Sequence, residues 1–285
     1  MIRWAFFMLA CLLVTPIFAG PRSKSIQVPK QFMQLGEPDQ EKGREVLESF
    51  RGMGIQGDYY LQVELKVRPR RVDEIVFSGR LWGSRSYLGP VSRVELKDQD
   101  GQVRRYLLQN GSEPTVWSWR EGDKAPSMTS KHLFEPLVAQ TELTLFDLQM
   151  PYLYWPSFRF EGTSKILGRI AHVFLLNPPE KMAAEYSSLG GVRVYLDTQY
   201  HAMVKSFQVD QQGQNLKSMT VRDIEKVSGQ WMVKKIDLRN EVTRDKTRFQ
   251  VVRAALNLDF SPQLFTSQSL SIDVPAPEQT VSLGR

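Results

Sequence analysis

The residue types able to carry chemistry are few in this sequence, and they do not converge. Its three histidines, His132, His172 and His201, are widely separated and lack the two-on-one-helix spacing of a zinc site. His172 alternates with Ile170 and Phe174, which reads as a core histidine with a satisfied ring. Asp98-Gln99-Asp100-Gly101 opens like a calcium loop but has neither the later ligands nor the bidentate glutamate, so it reads as a hairpin turn. Asp73-Glu74 and Glu161 are nominal acids for a glycosidase pair. However, Asp73-Glu74 adjoins Lys66, Arg68, Arg70 and Arg71 and reads as a salt-bridged strand edge. That basic group is a solvated hairpin end or a contact for anionic lipid headgroups or an acidic partner. No Gly-x-Ser-x-Gly elbow, phosphate loop or dinucleotide fingerprint occurs. The expectation is a protein that is not an enzyme and holds no metal and no cofactor.

The 285 residues carry 37 Lys and Arg against 31 Asp and Glu, interleaved without a basic block, which argues against nucleic acid. With 41% hydrophobic residues the chain can bury a core. Residues 1–19 combine Arg3, an apolar run over 4–14, Pro16 and Ala19, the layout of a secretory signal peptide cleaved near Ala19. The competing reading is a retained anchor, but the run is shorter than the ~20 residues a bilayer core requires. The single cysteine, Cys11, lies inside that run behind the poor lipobox Met8-Leu9-Ala10. The mature chain is therefore expected to have no disulfide and no thiolate chemistry.

Whatever the protein binds must be positioned by strands. Residues 20–36 are polar with two prolines and read as a flexible leader. Asp39 can cap a short helix whose Val46, Leu47 and Phe50 share a face before Gly52 and Gly54. Period-two runs follow at 60–67, 72–82, 91–96, 103–109 and 115–119, punctuated by Gly89-Pro90, Asp100-Gly101 and Asn110-Gly111. Such pairs favour tight antiparallel hairpins. Residues 122–150 interrupt the strands with a polar loop and an apolar stretch around Leu137, Leu143, Phe146 and Leu148, which reads as a helical cover. Strand-like runs resume at 158–161, 165–176, 192–196, 201–209, 216–226, 231–240 and 247–258. The run 165–176 is apolar on both sides and must be covered on both. No strand-helix-strand rhythm signals a parallel sheet. The predicted fold is mainly β: a strongly curved antiparallel sheet, or half-barrel, of about ten to twelve strands covered by short helices. It forms a single domain over 37–270, with an extended or frayed tail at 271–285.

The order of several short motifs resembles the outer-membrane lipoprotein-sorting protein family, a branch of the LolA-like periplasmic lipoprotein carriers. They are Leu145-Phe146-Asp147-Leu148, Phe160-Glu161-Gly162, Gly168-Arg169-Ile170-Ala171, Leu176-Asn177-Pro178-Pro179 and Val192-Arg193-Val194-Tyr195-Leu196-Asp197. Asp210-Gln211-Gln212-Gly213, Lys217-Ser218, Gly229-Gln230-Trp231 and Ile236-Asp237-Leu238-Arg239-Asn240 continue the series. The resemblance spans about 56–270 and is strongest from Thr141 onward. It implies an exported, periplasmic carrier that holds acyl chains of lipoproteins or lipids in an apolar hollow under a helical lid. The partners it implies are those acyl chains, an inner-membrane exporter as donor, an outer-membrane acceptor and transient membrane contact, with the protein a monomer. An envelope sensor or adaptor of the same fold, signalling through a protein partner, is the alternative.

No short binding motif transfers from that family residue by residue. The candidate lining residues are therefore the aromatic and flexible side chains of the early strands and the cover. They are Trp82, Tyr87, Trp117, Trp119, Phe146, Leu148, Met150, Tyr152, Tyr154 and Trp155. The competing reading is that they are ordinary core.

Overall fold

The structure, a computed structural model, describes residues 37–67, 74–129, 132–200 and 202–284. The signal-peptide and leader segments with Cys11, and Arg68, Arg70, Arg71, Asp73 and His201, lie outside the described residues.

The chain opens with α1 (Gln40–Gly52), capped by Asp39, whose carboxylate accepts from the amides of Glu41 and Lys42. Two antiparallel meanders follow. The first runs through β1 (Asp58–Val67), β2 (Ile75–Ser86), β3 (Gly89–Lys97), β4 (Val103–Gln109), β5 (Thr115–Arg120) and the two-residue β6 (Ser127–Met128). The chain then crosses one face of the sheet, forming α2 (Leu145–Gln149) and a 3-10 turn at Pro151–Tyr154. The second meander comprises β7 (Phe158–Ile166), β8 (Arg169–Leu176), β9 (Gly191–Asp197), β10 (Met203–Val209), β11 (Asn215–Val227), β12 (Gln230–Asn240) and β13 (Lys246–Leu258). The short helix α3 (Glu180–Glu185) links β8 to β9. β1 pairs with β13 and joins the meanders into one curved open sheet, in the order 6-5-4-3-2-1-13-12-11-10-9-8-7. Among the described residues it has 14 strands, counting β14 (Val281–Ser282) beside β13. The mainly antiparallel architecture with short helices is the one predicted.

Alternation places Leu61, Val63, Leu65 and Val67 of β1 on the helix-covered face and fully buried Tyr60 on the other. The main core lies on the helix-covered face, where Leu47 of α1 shares one cluster with Leu65, Phe77, Leu96, Phe146, Phe174 and Leu196. α1 seats against the edge strand β7, where the Gln40 side chain accepts from Phe160 N–H at 2.8 Å and donates to its carbonyl at 2.9 Å. This amide stands in for a neighbouring strand and blunts that stretch of the open edge.

Three local expectations change. The second meander begins with one long hairpin, 158–166 and 169–176, because Leu167 and Gly168 both take positive φ and turn the chain there. Asn110-Gly111 is not a two-residue hairpin: residues 110–114 form a longer loop, and the Asn110 side chain is turned inward. The tail is extended but not frayed. Fully buried Arg93 donates to the carbonyls of Ser269 and Ile272, both at 2.6 Å, and Ser282 pairs with Arg253. Burial brings the Arg93 guanidinium down to about 10. As predicted, β8 is covered on both sides: Phe174 and Leu176 join the main core, and Ala171 and Val173 pack with Ile166 and Tyr195 on the opposite face.

Candidate functional site

The segment between the meanders is the element that covers the sheet, and its local chemistry explains its shape. Thr144 caps α2, accepting from Asp147 N–H at 3.2 Å, while the Asp147 carboxylate accepts from Thr144 N–H at 3.0 Å and from its hydroxyl at 2.7 Å. Met150 ends the helix in the left-handed region (φ 50°) and Pro151 opens the following turn. These two adjacent breaks fold Phe146, Tyr152 and Trp155 onto one another. Phe146 stacks on Phe134 at 4.4 Å between centroids and meets Tyr152 at 5.5 Å and Trp155 at 6.2 Å. All three are buried, with Leu148, Met150 and Tyr154 half-buried at their margin.

The cover is tied to the sheet by polar groups at separate places. Lys217 of β11 donates to Asp147 at 2.5 Å and to the Glu142 carbonyl, and Gln208 of β10 donates to the other Asp147 oxygen at 3.1 Å. At the far side, Asn110 donates to the Gln149 carbonyl and Gln149 to the Gln109 carbonyl. From α1, Arg51 donates to the carbonyls of Leu153 and Trp155 at 2.5 and 3.0 Å. Burial lowers the Arg51 pKa. Burial also raises that of Tyr152 well above a free tyrosine, with its hydroxyl facing Ser206 without a well-formed hydrogen bond.

The ten candidate residues therefore divide. Six of them, Phe146, Leu148, Met150, Tyr152, Tyr154 and Trp155, come together in the cover and its core. Trp82, Trp117 and Trp119 do not join them. Trp82 packs with Tyr60 and Ala255 under Phe260, Leu264 and Phe265 of the segment that follows β13, and Trp117 and Trp119 pack beside Leu107 and Leu270. Their strand parity places them on the face away from the helices. Tyr87 is 96% exposed at the β2–β3 turn. The expected hollow is filled by the cover's own aromatics. An open volume of about 560 Å³ lies at the β4–β5 end of the cover and has a mixed lining that includes Arg104, Trp119, Arg120, Asp123, Lys124, Glu135 and Leu137.

The residues screened for catalysis sit in structural roles. Glu161 accepts from Arg193 and Arg159 at 2.7 and 2.8 Å. Burial alone would raise its pKa, and the two arginines outweigh that and lower it. Asp98 closes its hairpin by accepting from the amides of Asp100 and Gln102. The His172 ring lies 5.8 Å from that of Phe160. Lys66 pairs with Glu64. Among the described residues no three His, Cys, Asp or Glu side chains gather as a metal site.

The same cover-on-sheet arrangement recurs in solved structures. An outer membrane lipoprotein-sorting protein domain from Vibrio parahaemolyticus superposes with a TM-score of 0.67 at 16% identity, over 81% of this chain and 99% of that one. A DUF1329 family protein from Desulfovibrio piger gives 0.68 at 13% identity, over 82% and 100%. A LolA superfamily protein from Nitrosomonas europaea gives 0.61 at 13%, over 78% and 96%. No curated protein matches the sequence. Residues 124–271, just over half of the chain, match a family profile described as an uncharacterized protein. The chain belongs to that family, and its fold is LolA-like. The matched part of this LolA-like chain begins at the groove beside the cover, includes the whole cover and continues through the second meander to the turns that follow β13. The Asp147–Lys217 pair lies wholly within it.

Proposed function

We propose that this LolA-like protein is a binding protein and not an enzyme. In this reading it is exported to the periplasm by residues 1–19, and residues 37–270 act there as one carrier domain for acyl chains of lipids or lipoproteins. The observation that carries the reading is the cover: a cluster of aromatic and flexible side chains fills the helix-covered face and is held by exchangeable polar contacts. Each methylene buried is worth ~0.8 kcal/mol, so an acyl chain cannot cross water unshielded at a useful rate. Replacing Phe146, Tyr152 and Trp155 by acyl chains exchanges one apolar filling for another, which keeps uptake reversible. The cost of opening falls on the Asp147–Lys217 and Asn110–Gln149 contacts, whose polar groups water can satisfy once exposed.

Transfer of a fluorescent acyl chain between vesicles tests the reading. Leu148→Glu, on the half-buried margin of the cover, should stop transfer, whereas Trp117→Glu, on the opposite face and outside the groove, should not. Transfer that survives Leu148→Glu in folded protein, or that is lost only with Trp117→Glu, overturns the assignment. A protein that binds no acyl chain but holds a tight protein partner would instead be the sensor or adaptor.

A further inference from the structure

The groove beside the cover contains a local arrangement that costs the fold stability. Arg104 of β4 and Arg120 of β5 stand directly opposite each other in the antiparallel ladder, a like-charge pairing that destabilises a sheet. Little near them relieves it. The Arg104 Nε is buried with no hydrogen-bond partner, its guanidinium reaches Asp98 only at 3.9 Å, and another nitrogen donates weakly to the Leu137 carbonyl. Arg120 and Lys124 line the same volume. Two carboxylates line the same volume: Asp123 accepts from the Arg120 amide, and Glu135 pairs with His132 at 2.7 Å, so the three cations exceed the carboxylates by one.

Violations of local rules that the rest of a fold avoids concentrate at functional sites. Three cations against two carboxylates, with one unsatisfied buried Arg104 donor, leave the open volume of about 560 Å³ with an excess positive charge suited to an oxyanion. The location narrows the source. Leu145, the first residue of α2, and Leu137 form the groove's apolar side, and Phe146 follows Leu145 directly into the core. An amphiphile with chains in place of the cover's aromatics would bring its polar end out at this junction.

We propose that the groove binds the phosphate of an anionic glycerophospholipid headgroup. The proposal rests on the acyl-carrier reading and narrows its cargo to a phosphate-bearing lipid in place of a diacylated lipoprotein, whose anchor carries no phosphate. Calorimetric titration with dihexanoyl phosphatidic acid, dihexanoylglycerol and inorganic phosphate tests it, using the wild-type chain and the Arg120→Ala/Lys124→Ala variant. The phosphatidic acid should bind wild type at least about tenfold tighter than dihexanoylglycerol, a difference of about 1.4 kcal/mol. That preference should vanish in the variant. The variant's ligand-free melting temperature should be equal or higher, because the opposed arginine is gone. Equal binding of the two lipids to wild type, or a preference that survives in the variant, overturns the headgroup site and leaves the carrier reading standing. Inorganic phosphate binding as tightly as the lipid overturns the lipid source. Binding of neither lipid overturns the site and the carrier reading together.

Discussion

Replacing Lys217 by Met isolates the contact that ties the cover to the second meander. The Asp147 carboxylate is 5% exposed and accepts from Thr144 N–H, Thr144 hydroxyl, Gln208 and Lys217, so only one of its four partners carries a compensating charge. Removing that charge leaves a buried anion, which costs about 3–5 kcal/mol. In a domain of this size each kcal/mol moves the melting temperature by about 2–4 °C, so a fall of about 6–20 °C is expected. Asp147→Asn alone strands the Lys217 ammonium and weakens the capping box. Lys217→Met with Asp147→Asn leaves neither charge unpaired and should recover at least about 2 kcal/mol relative to the sum of the single changes. Urea unfolding at pH 7 of the four proteins gives the cycle, and hydrogen exchange at 144–150 should speed up in Lys217→Met. A loss below about 1 kcal/mol for Lys217→Met, or strict additivity in the cycle, would refute the reasoning that this pair holds the cover shut.

Further outcomes follow from other contacts. Burial alone would raise the Asp237 carboxyl, but Arg248, Lys246 and Arg222 donate to it and hold its pKa down at about 2. The stability this lends is complete above the unfolded value near 3.8 and is lost as pH falls toward about 2. Because those cations are partly exposed, the contribution is about 1–2 kcal/mol, and Asp237→Asn should remove that part of the acid dependence in unfolding curves between pH 7 and 2. Trp82→Ala should cost about 3–5 kcal/mol through the cavity it leaves under the segment that follows β13, with acyl-chain transfer by the folded protein unchanged. A Cβ on Gly43 would stand 2.6 Å from the Phe160 Cβ, so Gly43→Ala should push α1 off the β7 edge and destabilise by about 1–3 kcal/mol in thermal unfolding.

The sheet was legible in the sequence because its information is local. Alternation in 60–67 and turn residues such as Asp100-Gly101 define hairpins without reference to distant parts of the chain. The cover was legible as an element for a similar reason: the apolar run through Phe146 and Leu148 breaks the strand rhythm. Which aromatics share a face was not, because that depends on register between strands. Trp82 and Trp119 differ from the cover's aromatics only in the side of the sheet that pairing assigns to them, and the segment that buries Trp82 returns from residues 260–274. The cover's anchors were invisible for the same reason. Asp147 and Lys217 are 70 residues apart, and nothing in the neighbourhood of either marks the other as its partner. The Arg104–Arg120 pairing likewise emerges only once β4 and β5 are aligned.

The most direct test of the acyl-carrier account is mass spectrometry of lipid that co-purifies with the full chain from its native cell envelope under non-denaturing conditions. The account predicts a stoichiometric diacyl lipid that is retained by Trp117→Glu and lost from Leu148→Glu. A wild-type protein that arrives empty, or one whose lipid is unaffected by Leu148→Glu, would contradict it.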